Sequence, residues 1–261
     1  SAGGKTDMAA IGVIALNTFR ESLRDKILYN LLLFAGLLIG LSVLLADLSI
    51  MEHHKIVADM GLAAINLTGV IIAMFVGISL VNKEIDRRTV YTIMARPISR
   101  TCFILGKYAG LSLTLFVNVA IMLAVFILTL WLYHVPIGLA IFQAVGLIFM
   151  ELLVVTAIAL FFSTFSSSML SAILTLGMYV IGHLTTDLKS IAGKSPSETA
   201  NMIMNGLYYL CPNLEAFNIK GQAAMGISVG SDYLALASLY GFAYAAVLVT
   251  GACVIFQRRD F

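Results

Sequence analysis

Charge is scarce in this chain. Of its 261 residues, 16 are Lys or Arg and 14 are Asp or Glu, 11% in all, against about 25% in an ordinary soluble domain. A chain that is 60% hydrophobic cannot build a water-soluble surface from so few charges. The formal net charge of +2 excludes the strongly basic footprint of a nucleic-acid binder. Cysteine is nearly missing as well. Cys102, Cys211 and Cys253 are odd in number, far apart and without metal-ligand spacing, so they read as packing residues and no metal is expected. Proline avoids the centres of the apolar runs: Pro97, Pro136, Pro196 and Pro212 all fall between them. Enzyme motifs are also lacking. There is no His-Glu-x-x-His, no pair of aspartates within an apolar run, and no base near Ser163, Ser166, Ser167 and Ser168. Gly193-Lys194-Ser195 matches only the end of a phosphate-cradling loop, because Leu188 stands where the first glycine belongs. Neither a catalytic residue nor a cofactor is expected, and His53-His54 is a bare pair without carboxylate spacing.

What the chain does have is long apolar blocks. About 20 helical residues cover the hydrocarbon thickness, and backbone polar groups in lipid must be satisfied within the segment, so the blocks predict helices. Short alternating strands of a membrane barrel are not visible. Six spans are expected, over 27–46, 62–81, 103–132, 138–162, 169–186 and 233–256. The third is long, and its first turns are expected to reach into water because they carry Lys107. Before the spans, residues 8–26 predict an amphipathic helix in the membrane interface. Leu16, Phe19, Leu23 and Ile27 share one face, and Asn17, Arg20, Glu21 and Arg24 the other. The polar stretch Ser1 to Asp7 reads as an appended or disordered leader, and no cleavable signal peptide is expected.

The basic residues set an orientation. Lys5, Arg20, Arg24 and Lys26 lie before the first span, and Lys83, Arg87, Arg88, Arg96, Arg100 and Lys107 lie between the second and the start of the third. Arg258 and Arg259 follow the last. Lys55, Lys189, Lys194 and Lys220 fall on the other side. Positive residues favour the cytoplasm, so both termini are expected inside, which an even number of spans allows.

Two loops carry structure of their own. In Asn82 to Arg100, Glu84 and Arg88 are spaced for a helical ion pair, and Val90, Ile93 and Met94 share an apolar face. Pro97 stops the helix and Ser99 can cap the next one. A short helix with a mixed charged and apolar face is what a soluble partner would dock on. An ordinary positive-inside loop would explain the basic residues but not the apolar face or the stop and restart. In the second loop, Leu188 to Asp232, Ser195-Pro196-Ser197-Glu198 is a helix start signal, followed by Ile203, Leu207 and Leu210 on one face and by Pro212. A short outer helix is expected there.

Glu151 falls near the middle of the fourth span, where a carboxylate is costly and is by default a functional hypothesis. It could bind a cationic substrate, accept a proton, or simply hydrogen-bond to Asn118, Tyr179 or His183. Asn66 and Asn118 are polar residues that can join helices. Asn66-Leu67-Thr68 matches a glycosylation sequon but lies inside a span. Gly36 and Gly40, and Gly106 and Gly110, have the spacing that lets helices approach closely.

The run Glu84, Arg88-Thr89, Arg96-Pro97-Ile98-Ser99-Arg100, Gly106-Lys107-Tyr108 resembles the loop between spans two and three of ABC-2 type permeases, and the ending Phe256-Gln257-Arg258-Arg259-Asp260-Phe261 is similar to theirs. The resemblance covers essentially the whole chain. It implies an all-α polytopic membrane protein of six transmembrane helices, with an amino-terminal interfacial helix, a cytoplasmic coupling helix after span two and a short extracytoplasmic helix after span five. It further implies a separate ABC ATPase subunit contacted through Glu84, Arg87, Arg88, Thr89, Arg96 and Arg100. A second permease chain, alike or paralogous, and location in the plasma (inner) membrane follow from it, as does transport that is usually export. Glu151 and Asn118 are then candidates for a substrate path, and the outer loop for an extracytoplasmic partner. Three readings compete. A secondary transporter or channel would work without an ATPase, an intramembrane enzyme would turn over a substrate alone, and an assembly factor would use the same fold without transport.

Overall fold

The computed structural model describes residues 2–47, 53–86, 100–192, 201–202, 204, 206, 208 and 211–258. These are almost wholly helical: α1 (Ala2–Leu23), α2 (Lys26–Asp47), α3 (His53–Asp86), α4 (Arg100–Leu132), α5 (Leu139–Ser163), α6 (Ser168–Ala192), α7 (Lys220–Ala224) and α8 (Ser231–Arg258), with a 3-10 turn at Leu214–Phe217. No strand occurs among the described residues. Six helices, α2 to α6 and α8, are long and apolar enough to cross a membrane. That is the number expected from the apolar runs. The chain is a multi-pass membrane protein.

The two central spans are α3 and α5, and the others shield them. About seven-tenths of the apolar stretch of each is buried, 67% and 72%, whereas α2 and α6 bury 28% and 22% of theirs. Lipid offers no hydrophobic drive between helices, so close approach has to come from small residues. Gly69 of α3 lies against Leu152 of α5, Gly77 against Ala159, and Gly61 against the ring of Phe126 on α4. A Cβ on Gly77 would come within 2.9 Å of that of Ala159. The peripheral helices keep large side chains outward: Leu33, Leu37 and Leu44 on α2, and Met169, Ile173 and Leu176 on α6. Such rows are apolar surfaces that the described residues of this chain leave uncovered.

Helix α3 starts at His53, well before the apolar run beginning at 62. The polar residues His53, His54, Lys55 and Asp59 hide this start from a hydropathy reading. Val57 and Ala58 are nevertheless buried, and Ala58 lines a cleft of about 540 Å³ with Val135 and Ala223. At the other end α3 continues to Asp86, so Glu84 belongs to its last described turn. The segment with Arg87, Arg88, Thr89 and Arg96 that is expected to form a coupling helix lies outside the described residues, as does the helix start signal Ser195 to Glu198. Residues 201, 202, 204, 206 and 208, which follow that signal, have helical backbone.

The loop before α8 is not a loose connection. Leu214, Phe217, Ile219 and Ala223 are buried in the main core. Gly182 of α6 makes room for Leu214 and for the Pro212 carbonyl. Gln143 of α5 clamps the Val229 backbone, accepting from its N–H at 3.0 Å and donating to its carbonyl at 3.1 Å. Tyr233 donates to the Ala216 carbonyl at 2.7 Å. Those bonds satisfy non-helical backbone that would be costly against lipid.

Candidate functional site

Consecutive spans alternate in direction. The α1–α2 junction, the end of α3, the start of α4 and the end of α8 therefore share one face of the molecule. Asp25 caps α2 there, its carboxylate accepting from the Ile27 N–H at 3.1 Å. Arg100, the first residue of α4, donates from Nη1 to the Phe256 and Gln257 carbonyls, each at 3.3 Å. A cation at a helix carboxyl end satisfies orphan carbonyls and complements the helix dipole. Gln257 returns a bond to Thr101 Oγ1 at 2.9 Å, and the rings of Phe103 and Phe256 stack 5.8 Å apart. The start of α4 and the end of α8 are thus one joint, immediately after the segment 87–99.

Helix α1 joins them. Its closest approach to α4 is made by Ile11, Ile14, Ala15 and Thr18 rather than by Leu16. Thr18 and Ser22 are buried, while Leu16 is 46% exposed. Gly106 and Gly110 create the seat: a Cβ on Gly106 would meet Ile14 at 2.7 Å, and one on Gly110 would meet the Ala15 carbonyl at 2.5 Å. Gly36 and Gly40 have the same spacing on α2 but nothing within 4 Å of either added Cβ, so among the described residues of this chain they seat no helix. Lys107, expected to project into water, is 1% exposed. Its ammonium lies 3.9 Å from the Glu21 carboxylate and 5.7 Å from the centre of the Phe103 ring. α1 covers it, and the half-exposed Glu21 brings the compensating charge that a buried cation requires.

A second group of polar side chains sits in the bundle centre, between α3, α5 and α6. Glu151 is fully buried, at 0% exposure. Asn66 Nδ2 donates to Glu151 Oε2 at 2.9 Å, and the Tyr179 hydroxyl lies 3.5 Å from Asn66 Oδ1. His183 stands with Nε2 3.5 Å from Glu151 Oε1, and its Nδ1 is 3.2 Å from the Tyr179 carbonyl. Of the three partners weighed for Glu151 from sequence, His183 is adjacent, and the Tyr179 hydroxyl faces both the carboxyl and Asn66. Asn118 instead donates to its own helix at Thr114 O, 2.7 Å away. Asn66 was legible only as a polar residue in a span. Nothing in a separation of 85 residues announces its carboxylate. The polar side chains also explain why Asn66 is no glycan acceptor: it is 2% exposed inside α3.

These observations define a class: a polytopic helical membrane protein whose ends gather at one charged face. The family model for ABC-2 family transporter protein matches residues 12–261, nearly the whole chain, and the chain belongs to that family. It is a transmembrane ABC transporter component. The family implies an ABC ATPase partner in general and a membrane component that is not itself the ATPase. No curated protein matches the chain.

Proposed function

We propose that the chain is the permease subunit of an ATP-driven exporter, coupled to a separate ATPase through the segment around Glu84, Arg87, Arg88, Thr89 and Arg96. The observation that supports this most is the joint at Arg100. A displacement of the segment 87–99 meets α4 at its first residue, and α4 carries α8 through Arg100 and Gln257. It carries α1 through the Gly106 and Gly110 seat. Three helices would therefore move together when a docked ATPase closes. A nucleotide state shifts such a balance only through contacts that differ between the two conformations. In this reading Arg100 transmits the displacement, and the arginines before it touch the ATPase.

The remaining parts follow the family. A second permease chain, identical or paralogous, completes the pathway, both termini face the cytoplasm, and the complex lies in the plasma (inner) membrane. The outer loop, tied down by Gln143 and Tyr233, is rigid enough to present a surface to an extracytoplasmic partner.

The test is charge reversal at Arg87 and Arg88 together, in the complex reconstituted with its ATPase. The expected result is loss of permease-dependent ATP turnover with normal membrane insertion. Full retained turnover, or labelling that puts residues 87–99 outside the cell, refutes the assignment.

A further inference from the structure

The centre formed by Glu151 and His183 has a hydrogen-bonding deficit that can be located to two atoms. The Tyr179 carbonyl can only accept, so His183 Nδ1, 3.2 Å from it, carries a hydrogen and donates. In a neutral imidazole the other nitrogen is then a lone-pair acceptor. That nitrogen, Nε2, is buried and makes no hydrogen bond. What it faces, 3.5 Å away, is Glu151 Oε1, also buried and without a hydrogen bond. The second carboxylate oxygen is already taken by Asn66. An ionised carboxylate beside a neutral imidazole would thus set two lone pairs against each other, with a net buried charge at the centre of a span. Both features are costly.

One hydrogen removes both faults. We infer that Glu151 and His183 together hold a single proton, and that this proton fastens α6 to α5. It can sit on the carboxyl, which then donates to Nε2, or on the imidazole, which then donates to the carboxylate. The two forms contain the same atoms and the same net charge of zero, so they are one site. A proton needs no cavity, and this centre is lined on the other sides by Asn66 and Tyr179. Asn66 on α3 and Tyr179 on α6 are the other polar groups facing it. The charged groups that act on Glu151 are Lys220 on α7 and Glu215 on the 3-10 turn, opposite in sign. Among the described residues, α4 and α8 bring no charge to it.

The consequence is directional. Loss of the proton leaves a buried negative charge and opposed lone pairs, so α6 is driven from α5 as pH rises. A second proton leaves a buried imidazolium beside a neutral carboxyl, and the fastening weakens as pH falls. Any motion of the bundle that parts α6 from α5 therefore breaks the shared-proton contact, whatever supplies the energy. This inference does not depend on the ATPase reading and can fail separately from it.

The experiment counts protons on the purified full chain in lipid nanodiscs at neutral pH. Infrared spectroscopy reads the protonated-carboxyl band that Glu151→Gln removes. Nitrogen-15 NMR of labelled histidine reads both nitrogens of the ring that His183→Gln removes. The expected sum is one. An ionised carboxyl beside a neutral imidazole overturns the proposal, and so does a protonated carboxyl beside an imidazolium. A stability profile adds a second arm. In Glu151→Gln the amide keeps the Asn66 bond and gives Nε2 a permanent donor, so the alkaline loss of thermal stability expected of the parent should flatten. An unchanged alkaline limb, or a Glu151→Gln chain that does not fold, overturns the proposal, because the amide reproduces the donor and acceptor of the one-proton pair.

Discussion

Gly110 and Ala15 belong to different helices, yet their backbones lie so close that a single methyl group on Gly110 would come within 2.5 Å of the Ala15 carbonyl oxygen. The same methyl would meet Thr18 Cβ at 2.7 Å. Neither neighbour can swing aside without moving the α1 backbone. Overpacking of this kind costs about 1–3 kcal/mol. Gly110→Ala is therefore expected to lower thermal stability in detergent and to expose α1 to proteolysis. Gly36→Ala, with open space around it, is the matched control and is expected not to lower stability.

The Arg100 joint predicts a different kind of defect. Arg100→Ala removes a guanidinium from the Phe256 and Gln257 carbonyls of α8 while leaving the apolar contact of Phe103 with Phe256 in place. Hydrogen bonds to a charged group contribute about 1.5–3 kcal/mol when buried, and this one is only partly buried, so a loss near 1 kcal/mol is expected. Hydrogen exchange should rise in the final turn of α8 and stay unchanged at its start. In the reconstituted complex, ATP turnover should lose its dependence on the permease more than the fold loses stability. Equal losses in both would reduce Arg100 to a structural cap.

Gln143 is predicted to govern the outer loop. Gln143→Leu keeps the side-chain bulk but leaves the Val229 N–H and carbonyl without their partner. Each unsatisfied backbone group costs about 1–3 kcal/mol if it stays buried. The loop can instead open to water, and then the cost appears as mobility. Either outcome shows in limited proteolysis: cleavage near Val229 should speed up severalfold, and sites in the linkers 133–138 and 164–167 should not change.

Cys211 offers a reporter for the same loop. It is 8% exposed, and burial pushes its thiol above the ordinary cysteine range. The thiolate is the reactive form, so a raised value and a covered sulfur both slow alkylation. Single-cysteine chains retaining Cys211 should react with maleimide far more slowly than an unfolded peptide at the same pH. Gln143→Leu should accelerate the reaction. Fast labelling of Cys211 in the parent chain would show that the loop is not seated as described.

The number and order of spans were legible because each is a run of apolar residues too long for any other use. The start of α3 was not, since His53, His54, Lys55 and Asp59 break the run while the backbone remains helical. Lys107 misled for a related reason. A lysine early in a span ordinarily marks water, but here a separate helix covers it and brings Glu21. That docking could not be read from α1, where Val13 and Leu16 are exposed and the contact is made by Ile14, Ala15 and Thr18. Spacing alone did not separate the seat at Gly106 and Gly110 from the empty pair Gly36 and Gly40, because the difference lies in which helix arrives opposite. Glu151 could be singled out by depth, and His183 weighed as its neighbour. Its bond to Asn66 is long-range and has no sequence signal.

The placement of α1 has a consequence for biosynthesis. Ile14 and Thr18 are made before α4, so their seat on Gly106 and Gly110 does not exist until two complete spans have been inserted and a third has followed. For that interval the leading segment has no permanent home. Shortening the delay by transplanting α1 behind α4 should let the segment dock as soon as it is made.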